Sequence, residues 1–276
     1  MIRPLLILAA EEFQEGLRNR WVISAVLLLT ILAFSLALLG TSPIGETRVG
    51  ALNVTTVSLA SLSVYLLPLV ALTLSYDSVV GERERGTLVL LLTYPISRWQ
   101  VICGKFLGHF AIIAVAILLG YGSTGVYIAI SDGAAMQDWL QFAAMLGSSM
   151  MLGSAFIALG YLISVTVSSR ATAAGMAIST WLLVVVVYDL LLLGLVLSDT
   201  RDIISSDLFS TLLLLNPADI YRLFNLAGSE AASLVSGSLG ALESSFLSAG
   251  LLLSALCLWI IAPITAAIWV FNRHEL

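Results

Sequence analysis

Six long apolar runs constrain this chain more than any other feature of its sequence. A helix needs about 20 consecutive apolar residues to cross a bilayer. Hydrophobic residues make up 59% of the chain and charged residues 11%, whereas a soluble domain carries about 25% charge. The sequence therefore predicts an all-α polytopic membrane protein, a single transmembrane domain over residues 1–276. Its six transmembrane helices are expected at about 22–40, 56–76, 106–131, 141–167, 172–197 and 248–271.

The basic residues divide unevenly between the two sides that these spans imply. With the N-terminus inside, nine of the 12 Lys and Arg residues fall on the cytoplasmic side, and Arg48, Arg201 and Arg222 fall on the other. Cytoplasmic loops of membrane proteins carry an excess of Lys and Arg. The division predicts that both termini lie in the cytoplasm and that the number of spans is even.

The segment before the first span has helical periodicity of its own. Leu6, Ala10 and Phe13 fall on one helical face, while Glu11 and Glu15 fall on another. This pattern predicts an amphipathic helix over 1–21 that lies in the cytoplasmic interface. A frayed polar tail is the alternative.

The densest charge in the chain lies in the loop 77–105. The pattern predicts a helix from Asp77 to about Leu92, with Glu82 and Arg85 spaced as a surface pair. A break follows at 93–95, because the residue before a proline avoids the helical region. Charge is costly in lipid, so the loop lies outside the hydrocarbon. It is either a charged helix that only fixes topology or a surface that docks on a partner.

A second helix of this loop is predicted to begin after Ser97 and to run into the third span. Ser97 and Gln100 have the spacing of a capping box, in which each side chain bonds to the backbone at the other position. The segment 77–105 therefore reads as a folded hairpin at the membrane face.

The other large loop, 198–247, lies on the outer side before the last span. Asn216-Pro217 is a turn signal, and Pro217 suits the first position of a helix. The apolar stretches here are too short to span, so 208–226 is expected to form two short re-entrant or interfacial helices. Asp219 and Arg222 have the spacing of a pair within one helix, or could bind across an interface.

Asp189 lies inside the fifth predicted span, where an ionisable residue is a functional hypothesis by default. Either it serves transport or coupling, or it only makes structural hydrogen bonds. The sequence places no lysine or arginine at that depth. Cys103 and Cys257 predict neither a disulfide nor a zinc site, and the methionines do not group as metal ligands, so no metal or resident cofactor is expected.

The charged loop carries a resemblance to a known family. Type-2 ABC exporter permeases have a first cytoplasmic loop that is similar to Gly81-Glu82-Arg83-Glu84-Arg85-Gly86-Thr87-Leu88, Tyr94-Pro95-Ile96-Ser97-Arg98 and Gly104-Lys105-Phe106. Their amphipathic N-terminal elbow helix and six spans with both ends inside are also similar. The resemblance implies a multi-pass protein of the bacterial inner membrane, and a homodimer, because six spans are half of such an exporter.

The same resemblance assigns roles within the hairpin. Family members seat this loop, as coupling helices, in a groove of an ABC ATPase subunit. Carried over, it places Glu82, Arg83, Glu84 and Arg85 at the ATPase interface, and Pro95, Ser97 and Arg98 at the turn beside it. The phosphate-binding pattern GxxxxGK[ST] is absent from the chain, so ATP and Mg²⁺ are expected on a separate chain.

The run Asn216-Pro217-Ala218-Asp219-Ile220-Tyr221-Arg222 resembles one subgroup of these permeases, from the transporters that mature nitrous oxide reductase. In that subgroup the permease dimer joins an ATPase pair and a periplasmic β-helical protein, and helps build copper–sulfur centres. The resemblance implies that Asn216, Pro217, Asp219, Tyr221 and Arg222 face the periplasmic partner.

These inferences converge on a non-catalytic permease subunit that sits in the lipid bilayer and has no nucleic-acid partner. The transported substrate stays open: copper, a sulfur species, another solute, or nothing at all. An ATP-independent channel or secondary carrier that uses Asp189 is the alternative. A membrane enzyme has little support, because no His, Asp or Ser residues have catalytic spacing.

Overall fold

The fold is taken from a computed structural model, which describes residues 3–40, 51–131, 135–198, 206–226 and 248–273. Every regular element in these ranges is helical. The helices are α1 (Arg3–Arg18), α2 (Arg20–Gly40), α3 (Ala51–Ser75), α4 (Val80–Arg85), α5 (Thr87–Leu92), α6 (Arg98–Ile117), α7 (Ser123–Ser131), α8 (Met136–Thr166), α9 (Arg170–Trp181), α10 (Tyr188–Ser198), α11 (Ser206–Leu214), α12 (Pro217–Leu226) and α13 (Ala249–Arg273).

Within the described residues, five continuous helices are long and apolar enough to cross a membrane. They contain the second to sixth predicted spans and run over Leu52–Arg85, Arg98–Ser131, Met136–Thr166, Arg170–Ser198 and Ala249–Arg273. The first predicted span corresponds to α2. The segments Pro4–Arg18 and Val22–Leu36 meet at 70° and reach the required length and hydropathy as a bent pair. The all-helical prediction is confirmed, with five to six membrane-capable helices. The side of the membrane on which each end lies stays a prediction.

Helix α8 forms the centre of the bundle and packs against α3, α6 and α13. Small side chains let its neighbours approach closely, as in other membrane helix bundles. A Cβ at Gly160 would overlap the Ser75 hydroxyl of α3, and a Cβ at Gly153 would lie 2.9 Å from a methyl carbon of Ile113 on α6. The Gly, Ser and Ala residues of this helix therefore serve helix packing.

The fifth span is built differently from the others. A π-helical segment, Leu182–Val187, joins α9 to α10 without a break. In the most apolar stretch of this span 11% of the residues are buried, compared with 61% in α8. The fifth span therefore lies on the outside of the bundle formed by this one chain.

The predicted hairpin is folded, but its first helix is not continuous. Gly86 has a φ of +72° and divides the segment into α4 and α5. Glycine adopts this left-handed conformation without the steric cost that other residues meet. The prediction of one helix from Asp77 to Leu92 is therefore wrong at Gly86. The predicted break at 93–95 is confirmed and extends to 97, and the second helix begins at Arg98, after Ser97, as predicted.

The outer loop also contains the two short helices that were predicted there, α11 and α12. Helix α12 begins at Pro217, as its sequence predicts, and packs against α3, α8 and α13. The contacts of α12 reach the middle of the spans: the Asn216 side chain bonds to Val184 of the fifth span, and the Tyr221 hydroxyl lies 2.9 Å from the Ser149 hydroxyl of α8. We call the end of the bundle that holds α4 and α5 the hairpin end, and the opposite half, which includes α11 and α12, the far end.

Candidate functional site

A buried lysine connects three helices at the hairpin end. The Lys105 ammonium of α6 lies 2.6 Å from Glu12 of α1 and 2.9 Å from Glu82 of α4, and the lysine side chain is 7% exposed. Two carboxylates compensate the charge that burial would otherwise make costly. Glu82 was expected to pair with Arg85; it binds Lys105 instead.

His109 extends this cluster by one helical turn along α6. Its Nε2 donates to Glu12 over 3.2 Å, and its Nδ1 lies 2.7 Å from the Tyr161 hydroxyl of α8. A neutral imidazole satisfies both contacts, with the proton on Nε2 and the tyrosine donating to Nδ1. Glu12, Lys105 and His109 therefore fix α1 relative to α6 and α8.

The same face of α6 carries a Gly-x-x-x-Gly pattern, Gly104 and Gly108, on which α1 lies. A Cβ at Gly104 would lie 2.9 Å from the Cβ of Leu8, and one at Gly108 would lie 2.6 Å from the Cβ of Glu12. Such contacts are tighter than carbon atoms allow. The missing side chains let the two helix backbones approach and bring Glu12 within reach of Lys105.

The hairpin also binds the start of the fifth span. Glu84 accepts a hydrogen bond of 2.8 Å from the backbone N–H of Arg170, the first residue of α9. The Arg170 guanidinium forms an ion pair with Asp77, which precedes α4. A carboxylate at a helix N-terminus satisfies an N–H group that has no partner inside the helix and interacts favourably with the helix dipole.

Two further contacts join the hairpin to the end of α8. The backbone N–H groups of Val79 and Val80 both donate to the Ser164 hydroxyl at 3.0 Å, and Arg83 donates to the carbonyl of Val167 at 3.1 Å. The start of the hairpin is therefore fixed to the fourth span as well as to the fifth.

The last helix is attached to the hairpin through Arg98. Its guanidinium donates to the carbonyl of Phe271 at 2.8 Å and lies 5.7 Å from the centroid of the Phe271 ring. The carboxamide oxygen of Gln100 accepts from the Ser97 N–H at 2.9 Å, which is the glutamine half of the predicted capping box. Arg98 thus caps the C-terminus of α13.

While α4 is bound to the bundle, α5 and the following turn present apolar side chains outward. Val89, Leu90 and Tyr94 are 57%, 66% and 65% exposed. Glu84, Arg85, Pro95 and Ser97 are exposed beside them. Exposed apolar groups with a charged rim are typical of a protein–protein contact surface. We call Val89, Leu90 and Tyr94 the apolar crest.

A second ionic cluster lies at the far end. Arg222 of α12 binds both carboxylate oxygens of Asp189 in the fifth span, at 2.7 and 3.2 Å, and also lies 3.2 Å from Asp219. The expectation that no cation reaches the depth of Asp189 is wrong. Arg222 comes from a separate short helix that packs back onto the bundle, which span periodicity does not reveal.

The start of α12 is fixed to the π-helical segment of the fifth span. The Asn216 side chain donates to the carbonyl of Val184 at 2.8 Å and accepts from the N–H of Ala218 at 2.9 Å. Tyr188, just after the segment, donates to the carbonyl of Leu212 at 2.6 Å. The π-helix, which is typical of functional sites, is therefore where α11 and α12 are attached.

Burial raises the pKa of Asp219 to about 6. The attraction of Arg222 opposes this shift, whereas the nearby Asp189 carboxylate adds to it. Asn216 also donates to Asp219, at 2.9 Å. The predicted pair between Asp219 and Arg222 is present within the helix, and the cluster places two carboxylates around one guanidinium.

The residues predicted for the ATPase interface and those predicted for the periplasmic interface differ in how far they are buried. Asn216, Pro217, Asp219 and Tyr221 are buried in the chain, and the Tyr221 hydroxyl lies 2.9 Å from the Ser149 hydroxyl of α8. Arg222 is partly exposed. In the hairpin, Glu82 and Arg83 face the bundle, while Glu84 and Arg85 are exposed. Their interface roles stay predictions.

Sequence reasoning missed Glu12 and Arg170 as partners of the hairpin, and Lys105 as the partner of Glu82 within it. The spacing of Gly104 and Gly108 was a detectable signal for the close helix contact beside Lys105. Among the described residues, no three His, Cys, Asp or Glu side chains come together as metal ligands.

Comparison with known proteins gives consistent results over nearly the whole chain. The family described as "ABC-2 family transporter protein" matches residues 6–276. A protein named "Probable ABC transporter permease protein NosY" from Stutzerimonas stutzeri is 42% identical over 271 residues, which cover 97% of each chain. A protein with the same name from Pseudomonas aeruginosa is 42% identical over 273 residues, 98% of each chain.

Proposed function

Because this chain belongs to the ABC-2 transporter family, we propose that it is the membrane subunit that receives the work of ATP from a separate ATPase chain. In this proposal the hairpin end faces the cytoplasm, and closure of an ATPase pair pushes on the hairpin. The spans then tilt and change the outer face. The subunit itself does not hydrolyse ATP.

The observation that supports the proposal is that one half of the hairpin binds the bundle while the other half is exposed. Its charged half is bound to α1 and to the third, fourth and fifth spans, and Arg98 binds the last span. Its other half presents the apolar crest outward. A push on the crest therefore reaches several spans at once, which a flexible anchor would not achieve.

Co-purification with the ATPase subunit tests the crest. Leu90→Asp combined with Arg85→Glu places new negative charge on the exposed surface without altering a bundle contact of Glu82, Arg83 or Glu84. We expect recovery of the ATPase in a detergent pull-down to fall at least tenfold. Met136→Asp is the matched control, since Met136 is 74% exposed at the far end. Equal ATPase recovery with the crest variant would refute the proposal.

The proposal includes a homodimer formed around the fifth span. This span is little buried by its own chain, yet the Asp189 side chain is 39% exposed in it. A carboxylate that faces lipid is expensive, so a protein surface is the better neighbour. Cross-linking between Leu193→Cys in two copies, in a background with both native cysteines replaced, tests this contact. No cross-linked dimer at this or neighbouring exposed positions would contradict it.

The full-length similarity to NosY proteins extends the proposal to maturation of the copper–sulfur centres of nitrous oxide reductase. In this extension α11 and α12 face the periplasm beside a β-helical protein. The buried residues Asn216, Asp219 and Tyr221 act by holding α12 in place for that partner. Deleting the gene should leave nitrous oxide reductase without the optical bands of its copper–sulfur centre. Bands of normal intensity in the deletion strain would refute this extension.

A further inference from the structure

The fifth span is attached to functional elements at its hairpin end and near its middle. At the hairpin end, Glu84 accepts from the first N–H of α9, and Asp77 pairs with Arg170. Near the middle, Arg222 binds Asp189, Asn216 donates to the Val184 carbonyl, and Tyr188 donates to the Leu212 carbonyl of α11. One continuous helix joins these two sets of contacts.

Along its length the same helix has little contact with the core of its own chain. The span is mostly exposed, although Ala173, Ala177 and Val185 are buried. Trp181 adds a side contact by donating to the carbonyl of Tyr65 at 2.9 Å. The segment from Arg170 to Asp189 is held at these two places and lies on the outside of the bundle, so it can shift along its axis without repacking the interior, which is dense and resists deformation.

We infer that the fifth span is a strut that carries displacement of the hairpin to the outer helices, with Arg170 as its coupling residue at one end and the pair of Asp189 with Arg222 at the other. The strut spans roughly 28 Å between Arg170 and Asp189, at about 1.5 Å per helical residue. The inference rests on the proposed function, because hairpin displacement requires the ATPase.

The π-helical segment has a defined part in this inference. The Val184 carbonyl, which lies within this segment, accepts a hydrogen bond from the Asn216 side chain. The bond therefore transfers an axial shift of the span directly to the first turn of α12. Arg222 binds Asp189 about one turn further along the span, so the whole of α12 moves with the span.

The test uses the complex of the full-length chain with its ATPase subunit in lipid nanodiscs. Cys103 and Cys257 are first replaced by serine. A single reporter cysteine is then introduced at Leu197, the 72% exposed end of the fifth span, or at Leu215, between α11 and α12. Labelling rates with a membrane-impermeant maleimide are compared with and without ATP and vanadate.

Arg170→Gln should reduce the ATP-dependent change in labelling at both reporters at least fivefold, while ATPase co-purification stays unchanged. Asp77→Asn should have the same effect through the lost ion pair with Arg170, and Arg170→Lys should retain at least half of the change. Arg20→Gln, an exposed arginine at the same end, is the matched control and should leave the change intact.

Asp189→Asn separates the two halves of the strut. It should preserve the ATP-dependent change at Leu197 and abolish that at Leu215, because the span still moves but no longer pulls α12. An unaltered response in both Arg170→Gln and Asp77→Asn would overturn the inference, as would a wild-type complex with no ATP-dependent change. Failure of the wild-type chain to bind the ATPase would instead refute the proposed function itself.

Discussion

The two ends of this molecule carry the same ionic motif, a cation between two carboxylates, in different surroundings. At the hairpin end Lys105 joins Glu12 and Glu82 from two other helices, and its side chain is 7% exposed. At the far end Arg222 joins Asp189 from the fifth span and Asp219 from its own helix, and its side chain is 21% exposed. The first cluster connects three elements, whereas the second connects two.

The difference shows how each end uses its charges. A lysine ammonium is a compact point charge, so it can sit among three helices and depends on both carboxylates for compensation. Arginine is planar and binds a carboxylate through two donors, which fixes orientation as well as distance. The hairpin cluster therefore serves to hold helices together, and the far-end cluster serves to align one helix on another.

The largest expected effect comes from removing the buried cation. Lys105→Met leaves Glu12 and Glu82 uncompensated, which should lower the free energy of unfolding by about 3–5 kcal/mol. Thermal unfolding of the detergent-purified protein measures this loss. The triple variant with Glu12→Gln and Glu82→Gln should recover much of it, because no buried charge then remains. A loss below about 1 kcal/mol, the range of exposed ion pairs, would show that the cluster is effectively solvated.

A smaller effect is expected from the matching change at the far end. Arg222→Met leaves Asp189 and Asp219 close together, but Asp189 is partly exposed, and Asp219, whose pKa is already raised, can take up a proton. The free energy of unfolding should fall by roughly 1–3 kcal/mol, between the values for exposed and buried pairs. The same thermal assay applies. Asp189→Asn in the Arg222→Met background should restore part of the loss, and a loss equal to that of Lys105→Met would erase the contrast between the two ends.

The close contact of α1 with α6 can be tested without changing any charge. Gly108→Ala adds one methyl group where the Cβ would lie 2.6 Å from the Cβ of Glu12. Overpacking should cost about 1 kcal/mol or more. Gly147→Ala is the control, because nothing lies within 4 Å of its Cβ, and it should be neutral or stabilising. Equal thermal midpoints for the two variants would mean that α1 can move away freely.

Asp219→Asn is expected to have the smallest effect on the free energy of unfolding at neutral pH. The variant should instead change how the free energy of unfolding depends on pH. The folded-state pKa of Asp219 is raised to about 6, above its ordinary value of about 3.9. The folded protein therefore holds this proton more tightly than the unfolded chain. The wild-type free energy of unfolding should fall as the pH rises from about 4 to about 6 and then level off.

The Asp219→Asn variant should lack this decline. Thermal midpoints at pH 5 and pH 7.5, compared with those of the wild type and of Asp207→Asn in the exposed first turn of α11, isolate the contribution of Asp219. A wild-type decline that persists in Asp219→Asn would assign it to another group.

Much of the local structure could be read from local patterns. The apolar runs predicted the spans, Pro217 marked the start of α12, and the spacing of Ser97 and Gln100 predicted their backbone bond. The prediction failed at Gly86, where the sequence favoured a continuous helix although a glycine was present. Hydrophobic periodicity describes which side chains share a face, and it does not report the backbone conformation of a single glycine. It therefore could not show that Gly86 is left-handed.

The sequence by itself determined that the chain is helical. It also determined which segments are long and apolar enough to cross a membrane, and which loops contain most of the charged residues. Hydrophobicity and turn chemistry act over a few residues, so they are visible along the chain. Only the tertiary structure decided which charges meet. Glu12 and Lys105 are 93 positions apart, and Asp189 and Arg222 are 33 apart. Helix packing brings them together, because burying a charge in this bundle is tolerable only where a partner from another helix arrives beside it.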